Sequence, residues 1–277
     1  MFLKGEEPQM LSQPQSSRRS AVTLFGIPIH ALTAAEAVRW VDESVRNKLG
    51  MPIRVSAVNA HFFNVASRQS RLHWILAAND LNLADGVSVC LAARILGVNL
   101  RERIPGIDFM VHLCRLAAAT GRSVYFLGGR EGAAERAALR LAREIPGLKI
   151  EWDRPPFSRE FDPEVVRAVR ARIEAAHPDF LFVCMGVPRQ EFWIQEHALD
   201  LPVKLVMGNG AAFDVLAGDF HRPARWIQNI GMEWFYRLCV EPRRLARRYT
   251  LGNLRFLNLV VQQLFHQSMR TSAQTHA

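Results

Sequence analysis

The amino-acid sequence predicts an α/β fold: a Rossmann-like, mostly parallel sheet with helices on both faces, followed by a helical, basic C-terminal appendage. Three observations predict it. Short runs rich in β-branched and aromatic residues alternate with longer stretches whose apolar residues recur every three or four positions. The short runs are apolar throughout, the pattern of strands covered on both faces. Past residue 220 the alternation stops, and consecutive helical patterns dense in arginine replace it.

Residues 1–20, MFLKGEEPQMLSQPQSSRRS, hold no apolar core long enough for a signal peptide and read as a flexible tail. Strands are expected at IRVSAV (Ile53–Val58), LNLA (Leu81–Ala84), SVYFLG (Ser123–Gly128), FLFVCM (Phe180–Met185) and VKLVMG (Val203–Gly208). Amphipathic helices such as Gly132–Ile145 and Pro163–Ala176 lie between them, so residues 21–220 form the α/β domain. Residues 221–277 form the appendage, its helices divided near Pro242 and weakened near Gly252.

A chain of 277 residues that is 49% hydrophobic can bury a sizeable core, which excludes disorder as its general state. The formal net charge of +9 calls for an anionic partner. Most of the excess lies between Arg222 and Arg255, where eight arginines face only Glu233 and Glu241. From Leu245 through Tyr249, Leu254, Leu257, Val260, Val261 and Leu264 to Phe265, apolar residues recur at roughly helical steps among these arginines. A basic amphipathic helix of this kind suits an anionic membrane surface; the alternative is a terminal helix packed on the domain with its arginines in solvent. Cys90, Cys114, Cys184 and Cys239 fall in apolar stretches without metal-ligand spacing and read as buried thiols of a reducing compartment. No segment is long and apolar enough to span a bilayer, and a cytoplasmic protein is expected.

In a parallel sheet of this kind, ligands bind beyond the carboxyl ends of the strands. The loops there carry Asn59–His61, Asp85–Ser88, Gly128–Gly132, Gly186–Glu191 and Gly208–Asp214. Asp85 in LADGVS reads either as a helix cap in an Asp-Gly turn or as a carboxylate placed to take a proton from a substrate hydroxyl. Asn59 suits a sugar hydroxyl or a helix cap, and Arg103 in RERIPG a phosphate or solvent. Gly128 and Gly129 in FLGGREG allow backbone N–H groups to approach an anion, although such a turn is equally expected without a ligand. GVPRQE reads as a tight turn at Gly186 and a helix start in which Pro188 fits the first helical turn, and Asn209 lies in the last of these loops.

The sequence contains no Asp-x-Asp metal-diphosphate motif, no His-Glu-x-x-His and no Gly-x-Ser-x-Gly. Two competing classes remain. A nucleotide-dependent oxidoreductase or epimerase would want a dinucleotide fingerprint on its first strand. A non-catalytic nucleic-acid binder would use the basic segment and leave the strand-end loops without a purpose.

The ordered set NAHFFNVA, LADGVSV, ERIPGIDFM, VYFLGG, LFVCMGVPRQEFWI, MGNGAAFDVLAGDFHRPARWIQNIGMEWFYRL and EPRRLARRY resembles the WecG/TagA/CpsF family of bacterial glycosyltransferases, from about Val55 to Tyr249. The resemblance implies an inverting, metal-independent transferase without a cofactor. Its donor would be a UDP-sugar and its acceptor a polyprenyl-diphosphate-linked saccharide of surface or exopolysaccharide biosynthesis. It would work at the inner face of the cell membrane, without nucleic acid and with self-association left open. Asp85 matches the family's catalytic aspartate, Asn59 its pocket asparagine, Arg103 its phosphate-side arginine and Gln190 its glutamine after Gly-x-Pro. Arg237, Arg243, Arg244, Arg247 and Arg248 match its C-terminal arginines, expected at the acceptor diphosphate or the membrane. Gln190 and Glu191 are expected to project from their helix toward the nucleotide sugar. Many members carry threonine two residues before the asparagine; this chain has Ala57.

Overall fold

The computed structural model describes residues 21–47, 50–156, 161–220, 223–224, 227, 232–240 and 242–275. At positions 233, 234, 237, 240, 242–250 and 270–275 it describes the backbone alone, and the tail expected at 1–20 lies outside the described residues. Eight strands are described: β1 (Ala21–Leu24), β2 (Ile27–His30), β3 (Ile53–Val58), β4 (Leu81–Ala84), β5 (Ser123–Gly128), β6 (Lys149–Asp153), β7 (Phe180–Cys184) and β8 (Leu205–Gly208). The helices are α1 (Ala34–Asn47), α2 (Ala60–Ala66), α3 (Ser70–Ala77), α4 (Val87–Ile95), α5 (Gly106–Ala119), α6 (Ala133–Glu144), α7 (Pro163–Ala176), α8 (Arg189–His197), α9 (Ala212–Leu216), α10 (Glu233–Val240) and α11 (Pro242–Thr275).

Strands β3 to β8 form one six-stranded sheet in the order β4-β3-β8-β7-β5-β6, every pair parallel. Steps toward the β4 edge carry α2, α3, α7 and α8 on one face, and steps toward the β6 edge carry α5 and α6 on the other. A single crossover handedness produces that division. Alternate strand residues serve the two layers: Phe126, Phe182 and Cys184 face α5, α6 and α9, whereas Leu127, Leu181 and Val183 face α7 and α8. Phe126 and Phe213 stack at 4.2 Å in the first layer, fixing α9 against β5.

Three strands escape sequence reading. β6, KIEWD, is a largely exposed edge whose polar residues hide its strand character. The β1–β2 hairpin turns through Phe25 and Gly26, both at positive φ (51° and 78°), so a bulky residue holds a position usually given to Asn or Asp. Asn82, fully buried in β4, fastens that hairpin to the sheet. Its Nδ2 donates to Pro28 O (2.9 Å) and Leu76 O (2.7 Å), its Oδ1 accepts from Asn79, and its backbone N–H donates to His30 Nδ1 (3.1 Å). A polar residue inside an apolar strand is stable here because every hydrogen-bonding group on it is used.

Helix α11 is continuous through Gly252, a correction to the weak point expected there. Gly252 faces α2, its carbonyl accepting from Asn64 Nδ2 at 2.8 Å. Phe256 and Val260 are buried against Phe63 and the hairpin, and Gln263 Oε1 accepts from Phe25 N at 2.8 Å. The apolar residues read as one face therefore divide. Val260 and Leu264 pack inward, whereas Leu254 (64% exposed), Leu257, Val261 and Phe265 (67%) form an outward stripe continued by Leu251 and Met269. The side chains of Leu245 and Tyr249 lie outside the described residues. Cys114 and Cys184 are buried and Cys90 partly so, but Cys239 is exposed, contrary to the expectation for all four thiols.

Candidate active site

The carboxyl ends of β3, β4, β5, β7 and β8 lie side by side, and the loops leaving them gather the residues singled out from sequence. Asp85 follows β4, its backbone N–H donating to Val58 O at 3.0 Å. The N-cap of α4 is Gly86, so Asp85 is not the cap residue that the sequence allowed. Its Oδ1 instead accepts from the N–H of Gly106, the first residue of α5, at 3.2 Å, and its Oδ2 accepts from Asn59 Nδ2 at 3.2 Å. The carboxylate is thus oriented by one side-chain amide and one helix N-terminus, and it stays half-buried.

Asn59 fills the capping role that the sequence allowed and adds a contact to Asp85. Its Oδ1 caps α2 by accepting from His61 N at 3.1 Å, which aims its Nδ2 at Asp85. Gly106 is required by close packing: a Cβ there would lie 2.8 Å from both Ala57 Cβ and Asn209 Oδ1. Ala57, where a larger residue was the expectation from resemblance, therefore sits directly beneath the backbone that holds Asp85. The half-buried Arg103 is carried by a loop pinned to the end of β4 through Ile104 N and Ala84 O (2.8 Å). The Cys90 thiol, pushed up by burial, feels Arg103 and Asp85 with opposite sign, so both charges reach the first turn of α4.

The glycine turn after β5 is closed by the protein itself. Gly128 and Gly129 both have positive φ, and a Cβ on Gly128 would lie 2.5 Å from Cys184 O. Gly129 N donates to Cys184 O (2.7 Å) and Arg130 N to Asp214 Oδ1 (2.9 Å). Those two amides are engaged within the chain, so the glycines shape the turn rather than present these N–H groups to an anion. Asp214, buried after β8, was not singled out from sequence; its position in GNGAAFD, at the end of a strand-end loop, was the available signal. The guanidinium of Arg130 rests over the Phe220 ring at 4.4 Å.

Gln190 and Glu191 correct the expectation that they project toward a ligand. They are 1% and 2% exposed, buried beneath the loops after β7 and β8. Gln190 Oε1 accepts from Gly186 N (3.2 Å) and Gly210 N (2.8 Å), and its Nε2 donates to Glu191 Oε1 (2.6 Å). Gly186, at φ 79°, permits the turn, and Pro188 stands at the N-cap of α8, just ahead of the first turn where it was expected. Asn209 lies between Gly210 and β8, its N–H donating to Val183 O at 2.9 Å and its buried Nδ2 without a hydrogen-bond partner among the described residues. Arg237 lies on α10 and Arg243, Arg244, Arg247 and Arg248 on the first turns of α11; their side chains lie outside the described residues. Among the described residues, no group of three or more His, Cys, Asp or Glu is placed to hold a metal ion.

The strand ends thus hold a carboxylate and an asparagine at one side and two linked loops at the other, and sequence comparison identifies the family to which this chain belongs. The sequence model of the glycosyl transferase WecG/TagA/CpsF family matches residues 22–270. The chain belongs to the WecG/TagA/CpsF glycosyltransferases. It is similar to proteins named N-acetylglucosaminyldiphosphoundecaprenol N-acetyl-beta-D-mannosaminyltransferase. One, from Bacillus spizizenii, is 29% identical over 76% of this chain and 77% of its own length. Another, from Staphylococcus aureus, is 29% identical over 84% and 90%, and one from Bacillus subtilis is 26% identical over 83% and 87%. This WecG/TagA/CpsF member is therefore a glycosyltransferase, which displaces the oxidoreductase and non-catalytic readings.

Proposed function

We propose that this WecG/TagA/CpsF enzyme moves a sugar from a UDP-sugar to a polyprenyl-diphosphate-linked saccharide, with Asp85 as general base and with inversion at the anomeric carbon. The acceptor hydroxyl attacks C1 of the donor sugar and gives its proton to the Asp85 carboxylate, the C1–O bond to the diphosphate breaks, and UDP departs. The observation that carries this reading is the double restraint of Asp85 by Asn59 Nδ2 and Gly106 N at the mouth of the sheet. Those two hydrogen bonds orient the carboxylate from two sides. The names of the three relatives make N-acetylglucosaminyldiphosphoundecaprenol the first acceptor to test and UDP-N-acetylmannosamine the first donor.

The reaction runs without a metal in this proposal, the leaving diphosphate being met by arginine. Arg103, whose charge like that of Asp85 acts on Cys90, is the first candidate, and Arg237, Arg243, Arg244, Arg247 and Arg248 are the further candidates for donor or acceptor diphosphate. The exposed stripe of α11 lies on an anionic membrane surface, where it brings the soluble domain to a lipid-linked acceptor. The support is an outward apolar face on a helix that contains no acidic residue from Pro242 to Thr275. No helix among the described residues is long and apolar enough to cross a membrane.

UDP release in EDTA, measured with a panel of UDP-sugars and a synthetic polyprenyl-diphosphate-linked acceptor, tests the proposal. Acceptor-dependent release that Asp85→Asn abolishes while UDP still binds is the expected result. Turnover by Asp85→Asn removes the residue from the role, and activity that requires added Mg²⁺ removes the metal-free step.

A further inference from the structure

The two loops that leave the adjacent strands β7 and β8 meet through one side chain. Gln190 Oε1 accepts from the N–H of Gly186 in the first loop and from the N–H of Gly210 in the second. An amide can satisfy two donors only with its oxygen toward them; turned over, its NH₂ would confront two N–H groups. The two N–H groups favour that sense, and the 2.6 Å hydrogen bond from Gln190 Nε2 to Glu191 Oε1 locks it from the other end of the amide.

Glu191 is 2% exposed, and its second oxygen, Oε2, has no hydrogen-bond partner among the described residues. A buried carboxyl group with half its capacity unused is costly, so its retention needs a reason beyond packing. The neighbouring strand end makes room for the pair. A Cβ at Gly208 would lie 2.6 Å from Gln190 Nε2 and 2.9 Å from Glu191 Oε1. The arrangement reaches further, because the β8 loop held through Gly210 includes Asn209, whose Oδ1 abuts Gly106, the residue whose N–H holds Asp85.

We propose that Glu191 is a positioning residue: by fixing the orientation of the Gln190 amide it sets the spacing of the β7 and β8 loops, and through them the seat of the nucleotide sugar. This rests on the UDP-sugar reaction proposed above and adds to it that the donor seats against those loops. Glu191 touches no substrate in this role and acts only through Gln190.

The test uses the full-length enzyme with E191L, E191Q, Q190E and the E191L/Q190E pair. It reads donor and acceptor KM, kcat, UDP binding by calorimetry, Tm, and deuterium uptake of the segments carrying Gly186 and Gly210. E191L removes the acceptor, and Q190E removes the donating NH₂. Each is expected to weaken UDP binding and raise donor KM on the order of 10²-fold with acceptor KM little changed. Exchange at both glycine segments should quicken, and the pair should be no worse than either single variant, as for two residues in one contact. E191Q keeps a carbonyl acceptor for Gln190 and is expected to recover most of the E191L loss.

A lowered Tm with unchanged donor KM and unchanged exchange in E191L would reduce Glu191 to a packing residue. Additive single effects, or an E191Q as impaired as E191L, would also overturn the proposal. If E191L does not fold, Q190E alone decides: wild-type UDP binding and exchange in that variant sink the idea. Exchange is read without turnover or ligand. A wild-type enzyme that binds no UDP therefore defeats the donor reading, whereas normal exchange in the variants defeats the role of Glu191.

Discussion

The side-chain amide of Asn59 donates to the carboxylate of Asp85 at 3.2 Å while the oxygen of the same amide caps helix α2. Because the cap fixes which end of the amide faces inward, folding of α2 and aim of the proposed base are one event. A side chain that could have been a simple cap thereby becomes part of the site.

Two substitutions separate those roles. Asn59→Ala loses both, and is expected to cost about 1 kcal/mol of stability through the cap together with a large fall in kcat. Asn59→Asp keeps an oxygen for His61 N but turns a second carboxylate toward Asp85. It should leave the cap's contribution to Tm largely in place and still depress kcat on the order of 10²-fold. Thermal melts and steady-state kinetics on the two variants check this, and equal kcat in both and wild type would dissociate Asn59 from the chemistry.

The outward stripe of α11 predicts membrane attachment that can be removed without unfolding. Removal of the whole appendage would also strip Phe256 and Val260 from the core they complete with Phe25 and Phe63. The combined replacement Leu254→Ser, Leu257→Ser and Phe265→Ser touches exposed positions only. It is expected to abolish co-sedimentation with vesicles containing anionic lipid while Tm changes little. Full vesicle binding by this variant would move the membrane contact elsewhere.

Asn82 should be irreplaceable by an apolar residue of similar size. Asn82→Leu leaves Pro28 O, Leu76 O and the Asn79 amide short of a partner in a buried place, and about 3 kcal/mol of destabilisation is expected. Denaturant unfolding measures it. The hairpin, held to β4 by this residue, should show the largest rise in amide exchange.

Burial pushes the Glu191 carboxyl up to about 8, with the Gln190 amide and its own backbone N–H pulling the other way. A carboxyl group that binds its proton more tightly when folded favours the native state below its unfolded pKa, and that contribution is lost as pH rises from about 4.5 toward 8. E191Q abolishes the loss. Relative to wild type, its Tm should therefore climb between pH 5 and pH 8, and a constant difference across that range would show that Glu191 is already ionised in the folded protein.

The sequence alone determined the layered α/β class, five of the six strands of the main sheet, the location of candidate residues at strand ends, and a basic helical C-terminus. These are local properties: periodicity distinguishes a buried strand from an amphipathic helix, and arginine content needs no coordinates. It also placed Asp85 and Asn59 in separate loops 26 positions apart, each with a bland capping role open to it. Only the tertiary structure decided those roles, because β3 and β4 pair in parallel and bring the two loops together, and because Gly106 approaches closely enough to donate. It likewise turned Gln190 and Glu191 inward, beneath the loops they were expected to line. It also split the α11 apolar residues between a docked face and an open one. Periodicity counts apolar positions around a helix, but which of them meet a partner depends on where Phe25 and Phe63 have been carried by the rest of the chain.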